Sequence, residues 1–241
     1  ELRAIAKRQA AGTPHHSALL IGLGQKSTPE AAAFINGTSG TFLEMDEGNR
    51  FSRGHPAVHV IPAALALSQE RTVTAENFLA GMVVGYEVGS RLGAASQLRG
   101  AMHPHGTWGT LGAAAACGRV TGLDDCDMRQ TINISASLTT ATSKQTMLEG
   151  GLVRNVYAGL SNRNGLLALN LAECGFNGER DGPSSLLGKI ISESFQTEAV
   201  TQGLGHDWHL MRNYFKLHSC CRYNHGTLDA IDLMAAAQRL P

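Results

Sequence analysis

Apolar residues recur along most of the chain at the three- and four-residue spacing that places them on one face of an α-helix. After Thr74, a residue type that often caps helices, one such face consists of Phe78, Leu79, Met82, Val83 and Tyr86. We expect Pro62 at the first position of one helix and Ser184 as the cap of another. The pattern therefore predicts helices over residues 62–71, 75–97, 107–120, 156–174, 185–194 and 226–240.

Strand patterns are scarce, and the one candidate is residues 209–217, which follow a glycine-rich loop. The sequence therefore predicts a mainly α protein. A large helical domain over residues 1–208 is expected to be followed by the beginning of a smaller α+β unit over residues 209–241. The helix at 107–120 is rich in alanine and glycine, so it is expected to be thin enough for close neighbours.

The composition is that of a folded protein without excess charge. Hydrophobic residues make up 43% and charged residues 17% of the 241, enough to bury a sizeable core. A formal net charge of zero provides no field for non-specific nucleic-acid binding. No stretch approaches the roughly 20 apolar residues that span a bilayer. We expect neither nucleic acid nor a membrane as a partner.

The cysteines do not form a disulfide pattern. There are 5 of them, an odd number, and none has C-x-x-C spacing. Reduced thiols are typical of the cytoplasm, so the sequence predicts a cytoplasmic protein.

Three polar segments interrupt the helical pattern and offer candidate chemistry. Residues 43–56 hold carboxylates, an asparagine, two arginines and a histidine. Residues 102–110 hold two histidines directly before a helix, where backbone N–H groups favour carboxylates. Residues 216–225 hold two cations and two histidines that suit a polyanion. The structural alternatives are a solvated connector, a capped turn with exposed imidazoles, and a surface turn.

The spacing of the histidines and cysteines predicts no metal site. His55 and His59 have the spacing of one helix face, but Pro56 interrupts a helix just after His55. The grouping at 218–225 matches no known zinc spacing. No glycine pattern supports nucleotide binding, and no G-x-S-x-G segment supports a serine hydrolase.

Read in order, five stretches resemble the MmgE/PrpD family, whose members include 2-methylcitrate dehydratase, cis-aconitate decarboxylase and iminodisuccinate epimerase. They are AAAFINGTSGTFLEMDEGNRFSRGHPAVHVIPAALALS, GYEVGSRLG, HPHGTWGTLGAAAA, NRNGLLALNLAECGFNG and KLHSCCRYNHGTLDAID. The resemblance covers nearly the whole chain in the family's order. It is specific for the family and weak for the substrate.

The resemblance implies a large helical domain with a smaller α+β lid domain and an active site between them. On this basis residues 209–241 are the start of the lid, and the first helices and the rest of the lid are missing. The resemblance further implies a homodimer, a small polycarboxylate as substrate, and no metal or organic cofactor.

The family's motifs carry over onto particular residues here. Asp46 falls in the family's acidic D-x-D-D stretch, with Glu44 in place of the first acid. His55 matches the histidine of the following H-P, and His103 matches that of H-P-x-G-T. Lys216 matches the lysine that opens the last motif. The resemblance therefore implies four catalytic residues, Asp46, His55, His103 and Lys216.

Five further residues are expected to bind substrate, namely Asn49, Arg163, Cys221, Arg222 and His225. Arg163 stands where cis-aconitate decarboxylase has a lysine, and Cys221 stands where it has a histidine. Both departures argue against decarboxylase activity. The segment LEMDEGNR also differs from the commoner family motif LDFDD and is closer to the branch that contains iminodisuccinate epimerase.

Removing a proton beside a carboxylate creates an enolate-like dianion, so catalysis needs a base of near-neutral pKa and cations aimed at the new charge. Histidine supplies the first, since its reference pKa is about 6.5. Lys216, Arg163 and Arg222 are candidates for the second. We expect His103 or Lys216 to transfer the proton, and Asp46 and His55 to orient the substrate or relay the proton. We expect the three polar segments to meet in a cationic pocket that contains histidine.

The leading hypothesis is a lyase that removes this proton and then eliminates water. The alternatives are an epimerase that reprotonates the same intermediate on its other face and a non-catalytic scaffold that keeps only the fold.

Overall fold

The computed structural model describes residues 17–237, and helices dominate it as the sequence predicts. The α-helices are α1 (Pro29–Phe42), α2 (Pro56–Glu70), α3 (Ala75–Ala95), α4 (Trp108–Thr121), α5 (Asp125–Ser137), α6 (Lys144–Leu148), α7 (Val156–Glu173), α8 (Gly182–Ser185), α9 (Thr197–Thr201) and α10 (His225–Ala236). Short 3-10 turns lie at Leu152–Asn155, His209–Arg212 and Arg222–Asn224.

Within the described residues, short strands pair into antiparallel two-stranded ladders. They are β1 (Ala18–Leu20) with β2 (Gln25–Ser27), β3 (Gly48–Asn49) with β6 (Asn213–Tyr214), and β4 (Ser96–Leu98) with β5 (Ser192–Phe195). In the β3–β6 ladder Gly48 pairs with Tyr214. This ladder ties the first polar segment to the residues that lead into the third.

Helix α4 lies at the centre of the helical domain and packs against α2, α3, α5 and α7. Its small side chains allow the close approach that the sequence predicts. A Cβ added at Gly85 of α3 would lie 2.6 Å from the Cβ of Ala116 and 2.7 Å from the carbonyl oxygen of Gly112. The core around it includes Val60, Leu67, Val120, Leu166 and Leu169.

Helix α2 corrects one prediction, because it begins at Pro56 and carries Pro62 in its interior. Proline lacks an N–H, so the carbonyl of Val58 loses its helical partner. The amide of Asn162 in α7 replaces it, donating to Val58 O at 2.8 Å and accepting from the N–H of Ala63 at 2.9 Å. A buried side chain from another helix therefore makes the internal proline tolerable.

The prediction for residues 185–194 was wrong. Asp181, not Ser184, caps the short helix α8, a π turn follows over Leu186–Ile190, and β5 comes next. Residues 192–195 form a strand instead of a helix because they pair with β4, which lies far away in sequence.

The strand predicted over 209–217 is mostly absent, since a 3-10 turn fills His209–Arg212 and only the two residues of β6 pair. The N–H of Leu210 donates to the buried carboxylate of Glu87 at 2.8 Å, and the ring of His209 contacts the hydroxyl of Ser90 at 3.0 Å. Side chains of α3 therefore fix this stretch in place of a longer ladder.

The remaining predicted helices are confirmed, with differences in detail. In α3, Tyr86 is buried and Phe78 and Met82 pack against the core, whereas Val83 is half-buried and Leu79 is 55% exposed. Helices α1 and α5 and the short helices α6 and α9 lie outside the predicted set. Residues 238–240 of the last predicted helix lie outside the described residues. The boundary at 208/209 stays a prediction.

None of the helices in residues 17–237 combines the length and the apolar character needed to cross a bilayer.

Candidate active site

Lys216 lies at the centre of a group of four charged side chains. Its Nζ is 2.9 Å from Asp46 Oδ1 and 3.0 Å from Glu44 Oε2, and the other oxygen of Glu44 pairs with the guanidinium of Arg154. The side chains of Lys216 and Asp46 are each only 1% exposed. Two cations and two carboxylates cancel, so the site is formally neutral, in contrast to the cationic pocket expected from sequence.

The two carboxylates keep Lys216 charged. Burial lowers the pKa of Lys216, but the hydrogen bond and charge of Asp46, and then those of Glu44, outweigh it and leave that pKa above its ordinary value. Lys216 is therefore an ammonium at neutral pH. It suits the stabilisation of negative charge and does not suit the role of a base.

His55 occupies the N-cap position of α2, directly before Pro56. Its Nδ1 lies 2.5 Å from the carbonyl oxygen of Glu47 and 3.3 Å from Asp46 Oδ2. A carbonyl oxygen only accepts, so these partners assign the proton of the neutral ring to Nδ1. The lone pair of the ring then lies on Nε2.

His103 has the opposite arrangement. Its Nδ1 accepts a hydrogen bond from the backbone N–H of His105 at 3.1 Å, which assigns its proton to Nε2. Thr142 holds this loop, because its hydroxyl lies 2.9 Å from the carbonyl oxygen of His103 and 2.6 Å from that of His105 and can donate to either. Gly106 turns the chain with φ +92°, a value that favours glycine.

Four imidazoles form one buried cluster with His105 in the middle. The ring centre of His105 lies 5.2 Å from that of His55, and 4.7 Å from each of His59 and His103, all edge-on. Tyr157 of α7 contacts His103 from the far side at 5.7 Å between ring centres. We refer to His55, His59, His103 and His105 as the histidine cluster.

Burial keeps the histidine cluster neutral. It lowers the pKa of His59 and of His103 to about 3, the latter assisted by the charge of Arg154. Burial also lowers the pKa of His105 and, against the attraction of Asp46, that of His55. All four rings are therefore uncharged at neutral pH, and His55 can accept a proton.

Glu47 supports His55 with its side chain as well as its backbone. Its Oε2 accepts a hydrogen bond from the N–H of Ala57 at 3.1 Å, in the first turn of α2. Burial of the carboxyl raises the pKa of Glu47 to about 8, so the group is largely protonated at neutral pH.

The structure brings the four expected catalytic residues together and leaves the expected binding residues mostly apart. Arg163, Cys221 and Arg222 are exposed. Arg222 stacks over the ring of Tyr214 at 5.5 Å, and buried His225 contacts the ring of His218 at 5.0 Å.

Asn49 is buried, but its amide is already used. Its Nδ2 donates to the carbonyl of His209 at 2.9 Å, and its Oδ1 accepts from the N–H groups of Phe51 and Ser52. These bonds give Asn49 a structural function in the loop before α2. Its expected role in substrate binding stays a prediction.

Sequence reasoning missed Arg154 as a site residue and left His59 and His105 out of the site. Arg154 is buried, and its Nε finds no hydrogen-bond partner among residues 17–237. The available signal was an arginine inside the short apolar run that precedes α7. An unpaired donor on a buried cation suits a substrate carboxylate.

Comparison with known proteins agrees with these motifs. The model of the MmgE/PrpD N-terminal domain matches residues 1–185. The chain is 30% identical over 237 residues to cis-aconitate decarboxylase of Aspergillus terreus, covering 91% of this chain and 48% of that protein. It is 28% identical to the cis-aconitate decarboxylase-like protein oryM of Aspergillus oryzae, covering 88% of this chain and 48% of that protein.

The chain spans about half the length of these curated relatives. The family model covers most of the chain and includes Asp46, His55 and His103, while Lys216 lies within the longer stretch shared with the relatives. The chain belongs to the MmgE/PrpD family.

Proposed function

We propose that the protein is a lyase that removes a proton beside a carboxylate of a small polycarboxylic acid and then eliminates water. The observation that carries the proposal is a pair of neutral histidines with opposite tautomers, buried His103 and half-buried His55, beside a paired lysine. Membership of a family that includes cis-aconitate decarboxylase supports lyase chemistry.

The two tautomers give the histidines different roles. The free Nε2 lone pair of His55 suits a base that takes the proton from carbon. His103, whose Nε2 carries the proton, suits a donor of a hydrogen bond to the charge that develops on the carboxylate. When the carbon–oxygen bond breaks, the leaving hydroxide takes the proton held by His55 and departs as water.

Lys216 and Arg154 are proposed to handle the negative charge. Lys216 stabilises the dianion, and the unpaired Nε of Arg154 binds a carboxylate of the substrate. The substrate is proposed to enter beside Glu44 and His55, whose side chains are 27% and 16% exposed. No step of this reaction is assigned to a metal or an organic cofactor.

Two other reactions pass through the same kind of intermediate, which decarboxylation reaches by loss of carbon dioxide and epimerisation reaches by loss of a proton. Decarboxylation is named for the relatives, although Arg163 and Cys221 depart from that enzyme. Epimerisation of an imino- or amino-dicarboxylate is favoured by the wording LEMDEGNR. We also propose, on the family resemblance, that the protein acts as a homodimer with a lid domain that starts near residue 209.

The reaction is tested by incubating the full-length protein with 2-methylcitrate, cis-aconitate or an imino-dicarboxylate in deuterated water and following the products by NMR. Loss of water from 2-methylcitrate supports the dehydratase. Release of carbon dioxide from cis-aconitate, or deuterium incorporation without elimination, supports one of the alternatives. No reaction with any polycarboxylate would contradict lyase chemistry and favour a scaffold.

A further inference from the structure

The histidine cluster contains more nitrogen atoms than its neighbours can satisfy. Both ring nitrogens of His59 and both of His105 are buried without a hydrogen-bond partner among the described residues. Asp46 Oδ2 makes no hydrogen bond there either, although it lies 3.3 Å from Nδ1 of His55. Buried polar atoms in native proteins nearly always have a partner. Each neutral imidazole has one N–H and one lone pair, so one lone pair on His59, one on His105 and Asp46 Oδ2 remain able to bind an electron-pair acceptor.

Three of these side chains meet at one point. Asp46, His55 and His105 each place one possible ligand atom within 4.8 Å of the others. They come from two segments that the fold holds rigidly, His55 by Glu47 and His105 by Thr142. Two imidazoles and one carboxylate are a ligand set typical of zinc and related ions, and the set leaves a coordination position open.

We propose that Asp46, His55 and His105 bind a divalent transition-metal ion of the zinc class. The proposal goes beyond the lyase reaction and departs from the sequence prediction of no metal. Zinc bonds of about 2.0–2.2 Å bring tetrahedral ligand atoms to about 3.4 Å apart, so small side-chain rotations complete the site. Asp46 uses Oδ2 for the ion and keeps Oδ1 on Lys216.

The chemistry of the site selects the kind of ion. Magnesium and calcium prefer shells made entirely of oxygen, which two imidazoles do not provide. The nearby charges of Lys216 and Arg154 oppose any cation, and Glu44 neutralises part of that charge. The site therefore favours zinc-class ions at moderate affinity over magnesium.

A bound ion would occupy Asp46 and His55. If the proposed lyase reaction is correct, zinc is therefore expected to inhibit it, and a chelator is expected to restore it. Metal binding itself does not depend on that reaction, so the two proposals fail separately.

The test measures Zn²⁺ binding by competition with a coloured chelator, using the full-length protein. Cys220→Ser and Cys221→Ser form the background, because these thiols lie near His218 and offer another grouping for zinc. His105→Gln removes a ligand. His59→Gln is the matched control, since it removes an equally buried imidazole that contacts His105 but lies outside the ligand set.

We expect His105→Gln to weaken Zn²⁺ binding at least about tenfold, while His59→Gln stays within about twofold of the background protein. Equal loss in both variants, or no loss in His105→Gln, would overturn the proposal. Because His105→Gln risks misfolding, the absorption spectrum of the Co²⁺-loaded protein with native cysteines gives a second measurement. A d–d band without thiolate charge transfer supports the site, whereas a thiolate band or no binding rejects it.

Discussion

His55 and His103 have the same side chain but different chemistry, because different backbone atoms lie beside their rings. The carbonyl of Glu47 faces Nδ1 of His55, whereas the N–H of His105 faces Nδ1 of His103. An acceptor and a donor at the same ring position select opposite tautomers. The division between base and hydrogen-bond donor therefore follows from loop geometry.

The donor role of His103 predicts a graded response to substitution. His103→Ala should lower kcat by about 10²-fold, whereas His103→Gln, whose amide nitrogen can replace the Nε2–H, should retain about tenfold more activity than the alanine variant. Steady-state kinetics on the substrate that the NMR experiment identifies measures both. Equal activities of the two variants would show that His103 does not act as a hydrogen-bond donor.

Glu47 predicts how stability changes with pH. Its pKa of about 8 in the folded protein exceeds the ordinary 4.5, so the folded state holds the extra proton between these values. The stability that this proton provides is complete below about 4.5 and is lost as pH rises through about 8.

Glu47→Gln keeps an acceptor for the N–H of Ala57 but cannot ionise. Compared with the wild type, the variant should lose less stability between about pH 5 and about pH 8, by a few kcal/mol or less. Urea unfolding at several pH values measures the difference, and the histidines titrate alike in both proteins. Parallel stability curves would show that Glu47 is ionised throughout.

At the scale of elements, α2 depends on α7 for its integrity. Pro62 breaks the hydrogen-bond ladder of α2, and Asn162 repairs it through Val58 and Ala63. The same repair holds the turn of α2 that carries His59. The packing of two helices thereby supports the floor of the histidine cluster.

This repair predicts coupling between Pro62 and Asn162. Asn162→Ala should cost about 2 kcal/mol or more, because it leaves a buried carbonyl and a buried N–H unpaired. In a Pro62→Ala background the helix can close its own ladder, so the same change should cost at least about 1 kcal/mol less. Chemical unfolding of the wild type, the two single variants and the double variant completes this double-mutant cycle. Strictly additive changes in the free energy of unfolding would contradict the role proposed for Asn162.

The elements that the sequence predicted best are those decided locally. The apolar period of α3 and the small residues of α4 belong to the helices themselves. Strand β5 depends on pairing with β4, and the internal position of Pro62 depends on Asn162. The spacing of apolar residues does not reveal contacts between residues so far apart in sequence. Family motifs identified Asp46, His55, His103 and Lys216, but the pairing of Lys216 with Asp46 joins residues 170 positions apart.

At the scale of the whole molecule, three segments far apart in sequence meet in one buried site. The strand pair β3–β6 and the hydrogen bonds of residues 209–210 to α3 bring Lys216 to the histidine cluster. Uncharged histidines buried at this meeting point link its integrity to pH.

The molecule is therefore expected to lose stability in acid. The pKa values of His59 and His103 are about 3 when folded, below the ordinary 6.5, so the unfolded chain binds protons more readily in between. The contribution of these two histidines to stability is complete above about pH 6.5 and falls as pH drops towards about 3. In His59→Gln the free energy of unfolding should fall less steeply as the pH drops. In His206→Gln, which changes an exposed histidine, it should fall as in the wild type.

The central claim is that His55 takes a proton from carbon beside a carboxylate. The most direct test is the rate of hydrogen–deuterium exchange or elimination at that carbon, followed by NMR in deuterated water for the wild type, His55→Gln and His206→Gln. We expect the wild type and His206→Gln to react at equal rates and His55→Gln to be slower by about 10²-fold or more. A His55→Gln variant that is folded and reacts at the wild-type rate would contradict the account.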